Sequence, residues 1–157
     1  MPGAMWIESA EVQEAIDRLG PVLLELARPE HPQLAEMAVY LAALGGKRIR
    51  PALLFIAHGP GCTAPEVLRA AASVELIHLA SLYHDDIIDR GRMRRGAASA
   101  NAKWGNRAAM LTGTFLFLRA QALTEALGRE VRSLAARRRP SCAWGSCASP
   151  RTPMTPS

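Results

Sequence analysis

Aromatic residues are scarce in this chain of 157: three Trp, two Tyr and three Phe make up 5% of it. Sheet proteins lean on aromatic and β-branched side chains, whereas alanine and leucine dominate here, so the balance favours helix. No apolar run approaches the roughly 18 residues that a membrane-spanning helix needs. The start, MPGAMWIESAEV, lacks a basic segment followed by an apolar stretch, so no signal peptide and a cytoplasmic location are expected. Cysteines number only three, and Cys142 and Cys147 have no second pair nearby, which argues against a zinc site. What is plentiful is apolar content: 49% of residues are hydrophobic, enough for one packed domain.

Acids are missing from one end. Residues 131–157 carry five arginines (Arg132, Arg137, Arg138, Arg139, Arg151) and no acid, while residues 1–130 carry 14 basic and 14 acidic residues. The net charge of +5 is therefore a property of the tail, and the body is neutral. The chain reads as a helical domain over 1–130 followed by a basic Pro/Cys/Ser-rich tail over 131–157, expected to be disordered.

Helical periodicity marks the body. Val12, Ile16, Leu19, Leu23 and Leu26 recur through a helix from Glu8 to Ala27, punctuated by Pro21. LAEMAVYLAAL stops at Gly45-Gly46. Pro51 suits the first turn of a helix through ALLFIAH. Thr63 and Glu66 form a capping-box pattern with Pro65 in the first turn, predicting a helix from Ala64 to about Arg90. GRMRRGAASANAKWGN reads as a loop or helix break. A last helix places Leu111, Phe115, Leu118 and Ala122 on one side and ends at Gly128. No strand and no repeat is evident, so the fold class is all-α.

The stretch YHDDIIDRGRMRRG, Tyr83 to Gly96, sets a negative cluster beside a positive one. On a helix Asp85 and Asp89 stack on one face, with His78 two turns earlier on nearly the same stripe. Two neighbouring carboxylates repel unless a hard cation lies between them. Mg²⁺ takes few carboxylates, keeps water and completes its shell with phosphate oxygens, so the stripe suits a Mg²⁺–diphosphate clamp. Asp86 points about 100° away, as helical geometry requires, and suits a partner for a base. Lys47, Arg48 and Arg50 upstream and Arg94 and Arg95 downstream offer phosphate-binding groups. Taken singly, the aspartates are equally a solvated helix end and the arginines a solvated face.

GGKRIRP (Gly45–Pro51), ELIHLASLYHDDIID (Glu75–Asp89), RRG (Arg94–Gly96) and SANAKWGN (Ser99–Asn106), in that order and spacing, resemble the trans-type polyprenyl diphosphate synthases. The resemblance covers roughly residues 8–130 and looks like the N-terminal part of a longer enzyme. It implies a truncated isoprenoid-synthase-type helical bundle. It implies further that Asp85 and Asp89 bind Mg²⁺ holding an allylic diphosphate, that Arg94 contacts that diphosphate, and that Lys47, Arg50, His78 and Arg95 hold isopentenyl diphosphate. The implied reaction is head-to-tail condensation: the allylic C–O bond ionises, the isopentenyl double bond attacks the cation, and a proton leaves. Small residues one turn before the first aspartate, Ala80 and Ser81, would permit a longer product; they equally permit close helix packing.

Two departures from the family pattern stand out. Thr114 replaces an acid often found after the glycine of GTFL, and no aspartate follows Asp89, so the second aspartate-rich motif is absent. The tail after Pro140, read in a shifted codon frame, gives an amphipathic pattern with a glycine forced at the Trp144–Gly145 junction. A frame slip between about Leu134 and Pro140 would explain it.

The expected function is thus that of a prenyltransferase-family chain, inactive alone. The expected assembly is a homodimer or a heteromer with a full-length synthase. The alternative is a non-catalytic partner subunit of such a synthase. A class I terpene cyclase fragment would not need the GKRIRP and RRG clusters. Nucleic-acid binding would rest on the tail alone, and no such partner is expected.

Overall fold

In the computed structural model, residues 10–128 are described. They form six helices and one minimal hairpin: α1 Ala10–Ala27, α2 Pro32–Ala43, α3 Ile49–His58, α4 Pro65–Ile88, β1 Met93–Arg94, β2 Ala97–Ala98, α5 Ala100–Trp104 and α6 Asn106–Ala126. The all-α expectation holds, with the small ribbon added to it. The tail expectations, disorder over 131–157 and a frame slip, fall outside the described residues. No described helix is long and apolar enough to cross a membrane.

The bundle is organised around α4. Leu68, Ala71, Ala72, Leu76, Leu79, Ala80 and Tyr83 bury on several sides of it, because α1, α3 and α6 all pack against this one helix. Leu19 and Leu23 of α1, Phe55 of α3 and Leu116 of α6 complete the centre. The Tyr83 hydroxyl lies inside this core and donates to the Met37 carbonyl of α2, so a buried polar group finds its partner. α1 runs unbroken through Pro21 because the buried stripe Val12, Ala15, Leu19, Leu23, Ala27 continues on both sides of it and packing offsets the lost hydrogen bond.

One local expectation is corrected and two details are added. The Thr63–Glu66 capping box does not form: Thr63 lies in a turn closed by the Ala64 N–H on the Gly61 carbonyl (3.0 Å), and the helix starts at Pro65 with no side-chain cap bond. Pro51 lies in the first turn of α3, as expected, and the helix begins at Ile49 after Arg48 in the left-handed region at φ 47°. The buried face of α6 is Ala109, Thr112, Gly113, Leu116, Ala120 and Thr124, whereas Leu111 and Leu118 are 60% and 59% exposed.

Small residues explain the α6 face. A Cβ on Gly113 would lie 2.6 Å from His84 Nε2 and 3.1 Å from the Ala80 carbonyl of α4. Only a glycine lets the two helices approach so closely. Gly113→Ala is therefore expected to cost about 1–3 kcal/mol by overpacking, read as a lower urea midpoint and partly recovered by His84→Ala; an unchanged midpoint would contradict this seam.

Candidate functional site

α4 carries the acidic edge. Asp85 and Asp89 are both exposed, at the last turn and C-cap of the helix, where the Asp89 N–H donates to the Asp85 carbonyl (2.8 Å). The last turn contains no basic residue. Two carboxylates thus sit at the negative end of the helix dipole, the unfavourable end for them. Such a pair supplies hard oxygen donors and leaves positions for water and phosphate, which suits Mg²⁺ bridged to a diphosphate. It does not suit a cation caged by protein alone, since no group of three or more His, Cys, Asp or Glu able to hold a metal occurs among the described residues.

Asp86 turns the other way and is buried. Both its oxygens accept from Arg94 Nε at 2.8 Å, and Oδ1 accepts from Nη2 at 2.6 Å. This bond, more than the nearby charges of Asp86, Asp85 and Asp89, raises the Arg94 pKa above its usual value. Arg94, next to the hairpin turn, is thereby tied to Asp86 of α4. The loop after α4 is further fixed by Ser99 Oγ donating to the Gly91 carbonyl (2.6 Å) and Asn101 Nδ2 donating to the Asp86 carbonyl (3.1 Å).

The cationic side is a cleft of about 450 Å³ lined by Gly46, Lys47, Arg48, Arg50, Glu75, His78 and Arg95 among others. Its walls come from the α2–α3 turn, the N-terminus of α3, the middle of α4 and the hairpin tip. Lys47 and Arg50 are exposed there and His78 is half-buried. Burial, then the positive charge of Arg50, lowers the His78 pKa, with Glu75 opposing and Arg95 and Arg94 adding to the fall. A neutral imidazole near pH 7 follows.

The structure thus brings Lys47, Arg50, His78 and Arg95 to one cleft, while Asp85 and Asp89 lie on the edge two to three turns further along the same helix. Arg94 reaches toward Asp86 rather than lining that cleft. Ala80 is 1% exposed and faces α6 at Gly113; half-buried Ser81 donates to the His78 carbonyl (2.8 Å). Thr114 is exposed and donates to the Met110 carbonyl (3.0 Å).

Two features escaped sequence reasoning. Arg48, grouped with the phosphate-binding cations, is committed elsewhere: Nη1 pairs with Glu75 Oε1 at 2.6 Å and Nη2 donates to the Ala42 carbonyl at 2.9 Å. Glu75 itself, 2% exposed, had one available signal, an acid inside the otherwise apolar run SVELIHLA.

The family model for polyprenyl synthetase matches residues 31–140. Among curated proteins, a nonaprenyl diphosphate synthase of Mycobacterium tuberculosis is 39% identical over 124 residues, covering 78% of this chain and 37% of that protein. A heptaprenyl diphosphate synthase component 2 of Geobacillus stearothermophilus is 46% identical over 107 residues, covering 66% of this chain and 33% of that protein. Among solved structures, a heptaprenyl diphosphate synthase of Staphylococcus aureus superposes with a TM-score of 0.74 at 30% identity, covering 80% of this chain and 41% of that one. The chain spans well under half the length of each. With the family match covering most of its sequence and its helices following the same fold, the chain belongs to the polyprenyl synthetase family.

Proposed function

We propose that this chain carries the first half of a prenyl diphosphate synthase site, binding isopentenyl diphosphate and an allylic prenyl diphosphate for head-to-tail condensation. The convergence of Lys47, Arg50, His78 and Arg95 on one cleft, with Asp85 and Asp89 on the same helix, carries this reading. Lys47 and Arg50 are the exposed cations that meet the phosphate oxygens of isopentenyl diphosphate. Neutral His78 donates one N–H to the same group. Arg95 closes the cleft from the hairpin. Asp85 and Asp89 would hold Mg²⁺, which when bound would supply Lewis-acid stabilisation of the departing allylic diphosphate. Arg94, oriented by Asp86, adds a cation beside that leaving group. Ala80 and Ser81 leave the turn before Asp85 free of bulk, which favours a longer product; of the two, Ser81 is the one not sealed against α6.

Asp85 and Asp89 are the aspartate pair of this site, and these 157 residues tested alone are expected to bind without turnover. The test is incubation with Mg²⁺, labelled isopentenyl diphosphate and allylic diphosphates of graded length, alongside calorimetric binding of each ligand. Saturable binding with no extractable prenyl product is the expected result; absence of binding overturns the reading.

A second reading, a non-catalytic partner subunit of a full-length synthase, draws on the exposed Leu111 and Leu118 of α6, an apolar stripe suited to another helical surface. Copurification with a full-length synthase, lost on Leu111→Lys/Leu118→Lys, would support it.

A further inference from the structure

Arg95 sits at the tip of the β1–β2 hairpin. Met93 pairs with Ala98 and Arg94 with Ala97, leaving Arg95 and Gly96 as a two-residue loop at φ 53° and 79°, the positive-φ pattern of a I′-type hairpin turn. A non-glycine residue held in that region is strained and persists only where its surroundings over-determine it. Two contacts do so here. Arg95 Nη1 donates to the Leu41 carbonyl of α2 at 3.2 Å. A Cβ on Gly46 would lie 2.9 Å from Arg95 Cζ, 2.9 Å from Nη2 and 3.0 Å from Nη1. Three guanidinium atoms equally near one point mean that the plane lies flat on Gly46, not edge-on. Any side chain at residue 46 would occupy the space of the guanidinium.

We infer that Gly46 is a positioning residue: its bare α-carbon is the seat on which the Arg95 guanidinium lies, fixing that cation against the end of α2 and facing the cleft of Lys47, Arg50 and His78. The inference rests on the reading of that cleft as a diphosphate site. Because the colliding atoms are the far end of a flexible side chain, a methyl group at 46 displaces Arg95 rather than the helices. Alanine at residue 46 also strains the backbone, whose φ there is 151°, and that folding cost is separate from the loss of Arg95 at the ligand site. Gly45, one residue earlier, is the natural control. It too has positive φ, 73°, but a Cβ there meets nothing within 4 Å. Gly45→Ala strains the turn without touching Arg95.

The experiment is calorimetric titration of the full chain with isopentenyl diphosphate and, separately, inorganic pyrophosphate, both in EDTA. The proteins are the native chain, Arg95→Ala, Gly46→Ala, the double variant and Gly45→Ala. Loss of one charge-assisted contact weakens binding roughly 10- to 100-fold, so Arg95→Ala and Gly46→Ala are each expected in that range. Acting through one group, they do not add: the double variant matches Arg95→Ala within about threefold, the scatter expected of an uncoupled change. Strain from alanine at residue 46 is present in both backgrounds and cancels in this cycle. Gly45→Ala binds like the native chain.

If Gly46→Ala and Arg95→Ala weaken binding additively, or Gly45→Ala weakens it as much as Gly46→Ala, the inference is overturned while the diphosphate reading stands. If the native chain binds neither ligand, the reading itself fails and the inference with it. Should Gly46→Ala not fold, recovery of folding in the double variant supports the seat, and an Arg95→Ala chain that binds both ligands like the native chain overturns it.

Discussion

Glu75→Ala is expected to destabilise the chain by about 3–5 kcal/mol, the usual consequence of removing one partner from a buried ion pair. Glu75 is 2% exposed, and its carboxylate meets Arg48 Nη1 at 2.6 Å, with the Arg48 side chain only 11% exposed. Without Glu75 the guanidinium keeps the Ala42 carbonyl but loses its counter-charge inside the fold. It must then either stay buried and unpaired or leave, and leaving releases the left-handed turn at Arg48 from α4. Arg48→Ala strands the more deeply buried member and should cost at least as much. The double replacement Glu75→Leu/Arg48→Met should recover most of the loss, because an apolar pair of similar volume is often no less stable than the ion pair it replaces. Urea unfolding of the three variants checks the claim. A loss below about 1 kcal/mol in both single variants, the range of a surface pair, would show that Arg48 and Glu75 do not brace the turn.

The same pair shows where sequence reasoning reached and where it stopped. The existence of α1 and α6 was legible because each carries apolar residues at helical spacing, that of α4 from Pro65 at its start although the Thr63–Glu66 cap does not form, and the end of α2 because Gly45-Gly46 follows it. The first turn of α3 was legible from Pro51, but not its first residue, Ile49, which follows Arg48, held by a contact with Glu75, 27 residues away. The buried face of α6 was not legible because periodicity weighs large side chains. The face against α4 is chosen by close approach and is made of Ala109, Thr112, Gly113 and Ala120, so the bulky Leu111 and Leu118 point outward. The hairpin was too short for an alternating pattern and shows only as two positive-φ residues. At the site, the cations were legible as a group, but which of them are committed to the fold was not. Arg48 belongs to Glu75, Arg94 is bound by Asp86, and only the three-dimensional arrangement separates these from Lys47 and Arg50.

Asp85→Asn/Asp89→Asn is expected to abolish the Mg²⁺-dependent part of pyrophosphate binding, a weakening of roughly a hundredfold or more if each carboxylate contributes one charge-assisted contact. Each single variant should show part of the loss, and metal-free binding in the Lys47–Arg50 cleft should be untouched. The stability change has the opposite sign. Both carboxylates are exposed, stand one turn apart, and occupy the C-terminal end of α4, whose last turn holds no basic residue; Arg94, already paired with Asp86, offsets only part of their charge. Neutralising them removes mutual repulsion and an unfavourable interaction with the helix dipole. The thermal midpoint of the metal-free chain should therefore hold or rise while Mg²⁺-dependent binding disappears. That opposition separates a metal-binding pair from two solvated acids, whose loss would change neither quantity much. It also separates the pair from carboxylates that support the fold, whose loss would lower the midpoint. Calorimetry with and without Mg²⁺, paired with thermal unfolding in EDTA, measures both. Retained Mg²⁺-dependent binding in the double variant, or a lowered midpoint, would refute the assignment of these two aspartates to the metal.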